Sequence, residues 1–305
     1  MKTFYKPSEA IQWSKDELYY HGQVVKTEKW QGIAAPDDMN EVMMHAFRFA
    51  IPKTLDELVS EVKPNLPWAD DHFEERVCGM PLNPPPSNEW WPFNQKKNEK
   101  FKTEEKFSHT YPERLWPKHS GEDPDAVMEG IRYQYGDFGD VIDLLQREPF
   151  TRQAYLPMWF PEDTGSVHGE RVPCTLGYHF MRRGDNLHLV YHIRSCDYLR
   201  HFRDDIYMAC RKLMWVLDEL KSRDPERWNG VEPGWYMMTI TSLHCFNKEK
   251  EVFYKMLESS SEDKRNFLLQ KNIYSLLKAE QFSTSQQHKE KSFEKLWSNI
   301  GDNKR

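Results

Sequence analysis

Two stretches of the chain concentrate side chains able to act on one ligand. Arg194-Ser195-Cys196-Asp197 and Phe202-Arg203-Asp204-Asp205 lie at the expected end of a strand and the expected start of a helix. A helix N-terminus presents unpaired N–H groups and welcomes an anion. The alternative is a capped helix entry, which Asp204 or Asp205 alone would satisfy. Pro173-Cys174-Thr175 is a second candidate. A single cysteine is more often an inert buried residue, and a nucleophilic one needs nearby cations to favour its thiolate. Arg171 precedes Cys174 by three residues, and Arg194 falls across from it if the flanking strands form a hairpin. The third is Thr241-Ser242-Leu243-His244-Cys245-Phe246, at another strand end, where a lone histidine is usually only a hydrogen-bonded residue. His188 and His192 share one face of a strand, but no third ligand completes a site, so no metal is expected.

These residues need elements to hold them. Residues 174–182 and 187–194 read as strands joined by the turn residues Arg183-Gly184-Asp185-Asn186. Residues 206–222 form the longest expected helix, with Ile206, Ala209, Leu213, Val216, Leu217 and Leu220 near a helical period. Residues 236–243 and 153–160 read as strands, and 137–147 and 248–257 as helices. Upstream, 23–27 reads as a strand, 38–49 as a short helix, and 55–62 and 70–77 as helices. The proline-rich residues 81–92 exclude helix and central strand. Residues 81–120 read as a long surface excursion, a kind of loop often functional. The polar tail, 280–305, reads as frayed. The fold class is α+β.

At 305 residues the chain suggests two domains by the rule of ~150 residues each. If the three motifs serve one pocket, a single domain over 1–305 is expected, with the excursion and the tail taking up the excess. The apolar fraction is 38% and the mean hydropathy is −0.84. Those values are low for a packed chain, but 14% of residues are aromatic, which excludes general disorder. Basic and acidic residues (42 and 48) are well mixed, so no basic stripe marks a nucleic-acid binder. No run of ~18 apolar residues predicts a membrane span. The N-terminus lacks an apolar signal core, and five cysteines without CxxC spacing suit a reducing cytoplasm.

In chain order, Glu148-Pro149-Phe150-Thr151-Arg152-Gln153 with Trp159 and Pro161, Pro173-Cys174, Arg194-Ser195-x-Asp197, Asp205, and Ser242-Leu243-His244-x-Phe246 resemble the thymidylate synthase superfamily. That family carries a (D/N)PxSRR…AWNP segment, a PC nucleophile, an RSxD strand end, an Asn eight residues after that Asp, and an HxY pair. The likeness covers roughly residues 125–255. Three departures point to one branch. Position 205 is Asp in place of Asn, Ile193 replaces the Gln before the arginine, and the FRDD and SLH runs are similar to those of phage-type deoxycytidylate hydroxymethylases.

The resemblance implies a large mixed sheet flanked by helices and a homodimer formed through that sheet. It implies Cys174 as nucleophile, and a general acid/base glutamate on an N-terminal helix, either Glu74 or Glu75. Adjacent helix residues point ~100° apart, so only one faces the site; Glu75 is favoured. Arg194, Ser195 and an Arg152 donated by the partner subunit would hold a phosphate. Asp205 would read the base, His244 would hold the sugar 3′-hydroxyl, and Phe246 stands where the family has a second sugar-binding Tyr. Asp197 would meet the pterin of 5,10-methylenetetrahydrofolate, with Tyr111 and Trp116 lining the site and Trp90 or Trp91 walling the folate. The expected activity is C5-hydroxymethylation of dCMP for modified-DNA precursors, as in phages. The alternatives are a C5-methyltransferase acting on dCMP or dUMP, and a nucleotide- or RNA-binding homologue without turnover.

Overall fold

The computed structural model describes residues 1–30, 33–93, 102–103, 105–117, 136–166 and 171–251. Its strands are β1 (Lys2–Phe4), β2 (Gln23–Val25), β3 (Lys29–Trp30), β4 (Ile33–Ala34), β5 (Met39–Ala50), β6 (Lys102–Thr103), β7 (Lys106–Phe107), β8 (Tyr155–Pro157), β9 (Thr175–Arg183), β10 (Asn186–Asp197) and β11 (Glu232–Phe246). Its α-helices are α1 (Pro7–His21), α2 (Leu55–Val62), α3 (Trp68–Val77), α4 (Tyr111–Leu115), α5 (Phe138–Arg147), α6 (Phe202–Arg223) and α7 (Pro225–Trp228).

One mixed sheet runs β1-β5-β11-β10-β9-β8, with β2 paired to β5. The β9–β10 hairpin turns at Gly184, whose φ of 56° is one that glycine tolerates. β10 then pairs in parallel with β11, and α6 and α7 form the crossover between them. Alternation along the strands sends Phe47, Phe49, Tyr178, Phe180, Leu189, Tyr191, Tyr236 and Met238 into the core. His179, His188, Val190, His192 and Thr239 alternate with them on the opposite, half-buried face. The helices cover the core face: α1 lies on β5, α6 on β10 and β11, and α2, α3 and α5 pack on α6. This is the α+β arrangement expected. Among the described residues no helix is long and apolar enough to cross a membrane.

Four local expectations need correction. Residues 38–49 are not a helix but most of β5, which pairs antiparallel with β11 from Trp235↔Ala50 to Phe246↔Met39. Methionine, alanine and phenylalanine suit either state over a short run, and partner strands decided it. The expected strand 153–160 is ordered as strand only at β8. α6 begins at Phe202, four residues earlier than its apolar period suggested. Its N-cap is His201, with no side-chain cap, so neither Asp204 nor Asp205 is spent on capping. Finally, the described part of 81–120 is not a surface loop. Trp90, Phe107, Leu115 and Trp116 are buried, and Thr110 caps α4 with Glu113 closing a capping box. The tail at 280–305 and most of the expected helix 248–257 lie outside the described residues, although 247–251 is helical.

Phe47 sits where β5, β11, α1 and α6 meet, its ring against Phe49, Tyr236, Trp13 and Phe202. Phe47→Ala is expected to lower the unfolding free energy by about 3–5 kcal/mol, measured by urea denaturation.

Candidate active site

Because β10 and β11 are parallel neighbours, their C-terminal ends bring two of the sequence motifs side by side. Ser195 pairs with Ser242, and Asp197 with His244. The antiparallel hairpin adds the third motif: the Arg194 N–H donates to the Cys174 carbonyl at 2.9 Å. The Arg194 guanidinium then folds back, donating from Nε to the Pro173 carbonyl and from Nη2 to the Val172 carbonyl. The first turn of α6 delivers Asp205. These residues open on a cavity of about 620 Å³. Six cationic side chains line it (Lys29, Arg76, Arg171, Arg194, Arg200 and Lys248) against three acidic ones, Asp197, Asp205 and Glu249. That balance suits an anion. Among the described residues no cluster of His, Cys, Asp and Glu is placed to hold a metal ion.

Cys174 is half-buried at the cavity wall. Burial pushes its thiol up, with Asp205 and Asp197 adding to the rise, and Arg194 and then Arg171 offset this only in part. The two cations foreseen for the thiolate are thus in place. The other free cysteines are less suited. Cys196, Cys210 and Cys245 are buried, and Cys78, though half-buried, lies outside the cavity lining.

Asp205 is pushed up to about 7 by burial, with Arg76 opposing most strongly and Asp204 adding to the rise. The Cys196 thiol donates to Asp205 Oδ2 at 3.8 Å. Asp204 points elsewhere: its carboxylate accepts from the Asn65 backbone and side-chain N–H groups, both at 2.8 Å.

The two glutamates on α3 separate as helix geometry requires. Glu74 is exposed and paired to Arg211 at 2.6 Å. Glu75 is buried, accepting from the Ser87 N–H and hydroxyl and facing His72 Nδ1 at 3.0 Å. Burial pushes it up to about 8 against those hydrogen bonds. Glu75 does not itself line the cavity; Ser87 and His72, which do, stand before it. Arg76 Nη2 lies 3.0 Å from His72 Nε2. A guanidinium only donates, so Nε2 accepts and the proton sits on Nδ1, facing Glu75.

The remaining expected residues divide. Ser195, Asp197, His244, Phe246 and Tyr111 line the cavity, with Trp91. Asp197 is already engaged: its carboxylate accepts from the Leu199 and Arg200 N–H groups and pairs with the Arg200 guanidinium at 2.9 Å. Burial disfavours its charge, but Arg200 and His244 outweigh that and hold it below the usual range. Arg200 also grips Glu249 and lies over the Phe246 ring. Tyr111 packs under Arg76, and its hydroxyl meets Thr175 Oγ1 at 3.3 Å. Trp116 and Trp90 stay behind the wall; their indoles donate to the Arg76 carbonyl and to Asp71. Arg152 is exposed and away from the cavity.

Sequence reasoning missed Trp68, His72 and Arg76, which line the cavity from one face of α3. Their i, i+4, i+8 spacing was the available signal. It also missed His201, on which Trp91 stacks at 5.1 Å.

Glu75 titrates higher in the folded chain than its ordinary 4.5, so the native state binds the extra proton. Its contribution to stability is therefore full below pH ~4.5 and is lost as pH rises toward 8. Glu75→Gln is expected to flatten the fall in unfolding free energy between pH 5 and 8, an effect on the order of a few kcal/mol. Urea titrations at several pH values measure it.

No protein-family model matches the sequence. A Methanococcoides burtonii protein provisionally named a thymidylate synthase is 25% identical over 154 residues, which is 50% of this chain. The match spans 59% of that protein's own length. Among solved structures, the thermostable thymidylate synthase A from Bacillus subtilis superposes with a TM-score of 0.57. It covers 84% of this chain and 85% of that one, at 14% identity. The fold is therefore that of the thymidylate synthases.

Proposed function

We propose that this protein is a folate-dependent one-carbon transferase that hydroxymethylates C5 of dCMP. The observation that carries the reading is the meeting of Cys174, Arg194 and Asp205 in one cationic cavity. A thiolate beside two arginines suits attack on an electron-poor ring carbon. Cys174 adds to C6 of the pyrimidine, which moves electron density onto C5, the carbon to be substituted. Arg194, Ser195 and Arg171 hold the 5′-phosphate, joined by Arg152 from a second copy docked on the outer sheet face. His244 holds the sugar 3′-hydroxyl; Phe246 offers no hydrogen bond there.

Asp205 sets the base. Cytosine presents N4–H₂ as donor and N3 as acceptor, whereas uracil presents O4 as acceptor and N3–H as donor. A carboxylate can take the N4–H bond and shares one proton with N3. Glu75, neutral near neutral pH, is the proton reservoir. Its hydrogen bonds to Ser87 and His72 lead to the cavity wall, so it gives a proton to the bound ligands first and, once ionised, takes up the proton that leaves C5.

When bound, 5,10-methylenetetrahydrofolate supplies a one-carbon unit at the oxidation level of formaldehyde. The cavity's residues fit a flat heteroaromatic of that kind. Trp68, Trp91 and Phe93 line one side of it, and Trp91 Nε1 is buried with no hydrogen-bond partner among the described residues. Asp197, fixed by Arg200, presents a polar edge for the pterin.

Incubation with dCMP, CMP or dUMP plus the folate, with products weighed, tests the reading. A gain of CH₂O on dCMP is expected. A gain of CH₂ marks methylation, and no product from any of the three refutes the proposal. Cys174→Ser is expected to cut turnover by at least ~10³-fold while leaving nucleotide binding. Asp205→Asn is expected to move the dCMP-to-dUMP preference by about 10²-fold or more toward dUMP.

A further inference from the structure

A line of polar contacts runs behind the cavity wall at the C-terminal ends of β10 and β11. Asp197 of β10, His244 of β11 and Glu41 of β5 are register partners across three neighbouring strands. Ser195, Ser242 and Met43 form the adjacent row on the same face. Residues opposite one another in a sheet, and those at every second position, share a face. The Ser242 hydroxyl donates to Glu41 Oε1 and lies 3.2 Å from His244 Nδ1. His244 is buried, and Glu41 and Ser242 are half-buried. Ser242 and His244 line the cavity, whereas Glu41 stands behind them.

The proton positions follow from the inventory of donors and acceptors. A carboxylate only accepts, so the single hydroxyl proton of Ser242 is committed to Glu41. Toward His244 that hydroxyl has only lone pairs to offer. Nδ1 must therefore donate, and the uncharged ring keeps its other nitrogen, Nε2, bare. Among the described residues the His244 side chain makes no other hydrogen bond. Its neighbour Asp197 does not compete for the ring. That carboxylate is taken by the Leu199 and Arg200 N–H groups and by the Arg200 guanidinium. A bare ring nitrogen on a cavity-lining residue accepts a proton donor and repels a lone pair.

We propose that Glu41 and Ser242 are positioning residues that fix His244 as a hydrogen-bond acceptor, so that the site selects a nucleotide whose 3′ group donates. The proposal rests on the nucleotide reading above, which sets the sugar against His244. A free 3′-hydroxyl meets the condition. A 3′-fluorine presents only lone pairs, as does the 3′ oxygen of a nucleotide inside a chain, and both are refused. Monomers are thereby separated from polynucleotides by the direction of one hydrogen bond. Phe246 offers the sugar no hydrogen bond, so that direction carries more of the choice. Without Glu41 the Ser242 hydroxyl turns and donates to Nδ1. The ring proton then sits on Nε2, and the same histidine reads an acceptor instead.

The test is the tautomer of His244 in the full-length protein, read by ¹⁵N NMR of ring-labelled histidine at a pH above the ring's titration. The His244 signals are assigned by their loss in His244→Gln. Wild type is expected to carry the proton on Nδ1, and Glu41→Ala to move it to Nε2. Ser242→Ala, which removes the hydroxyl, is expected to lose the Nδ1 preference, and Ser242→Thr, which keeps it, to restore it. Binding of dCMP is then compared with binding of its 3′-fluoro-3′-deoxy analogue. Wild type is expected to favour dCMP about tenfold, the weight of one directed hydrogen bond, and Glu41→Ala to narrow that ratio at least ~3-fold. A wild-type proton on Nε2 overturns the proposal. So does an unmoved tautomer in whichever of Glu41→Ala and Ser242→Ala folds. A moved tautomer with an unmoved ratio overturns the sugar selection. A protein that binds neither nucleotide refutes the nucleotide reading instead, while the ring signals still decide what Glu41 and Ser242 do.

Discussion

The parallel register of β10 and β11 is the constraint on which the site depends. It fixes Ser195 beside Ser242 and Asp197 beside His244, and it leaves both strand ends facing the same way. Everything else attaches to that edge. The β9–β10 hairpin hangs Cys174 beside Arg194, and α6, packed across both strands, swings Asp205 over the ends. A one-residue slip of β11 against β10 would turn Ser242 and His244 to the other face of the sheet, away from Ser195 and Asp197. The apolar residues between them, Leu189, Tyr191, Ile193, Tyr236, Met238 and Ile240, are all buried and forbid the slip. Core packing and site geometry are therefore the same set of contacts.

A second physical theme is charge held in poor solvent. Glu75, Asp204 and Asp205 are all pushed up by burial, and His72, His109 and His201 are pushed down by it. Around and behind the cavity wall, burial thus raises these carboxyls toward neutral pH and keeps these imidazoles uncharged there. Such a wall is costly in stability, and functional sites are where that cost is tolerated. Arg76 is central to it. It donates to His72, lies over Tyr111, and opposes the rise at both Glu75 and Asp205.

The sequence made the strand-end motifs legible because strand alternation and the tight turn at Gly184 leave little choice of register there. Cys174, Arg194, Ser195, Asp197, Asp205 and His244 all meet at one cavity, as their order implied. What stayed hidden depended on distant partners. Residues 38–49 read as helix because nothing within the run shows β11 beside it. Residues 81–120 read as surface because prolines and lysines conceal four inward-facing apolar residues. Arg76 and Lys212 look like ordinary exposed helix cations, and only the packing of α3, α5 and β9 around α6 shows that they are not. Arg152 is the opposite case. A plausible motif residue, it stands alone on the surface of a single copy.

The Arg200 clasp bears on where the chain goes next. One guanidinium ties Asp197, at the end of β10, to Glu249, on the helical stretch just past β11. The heading on which residues 247–251 leave the sheet is thereby held by an ion pair, alongside the Asn247 and Lys248 N–H groups donating to the Asp38 carbonyl and the Asp37 carboxylate. Route and charge are coupled at that point. Whatever alters the ionic state at the strand end also alters the anchorage of the segment that departs from it.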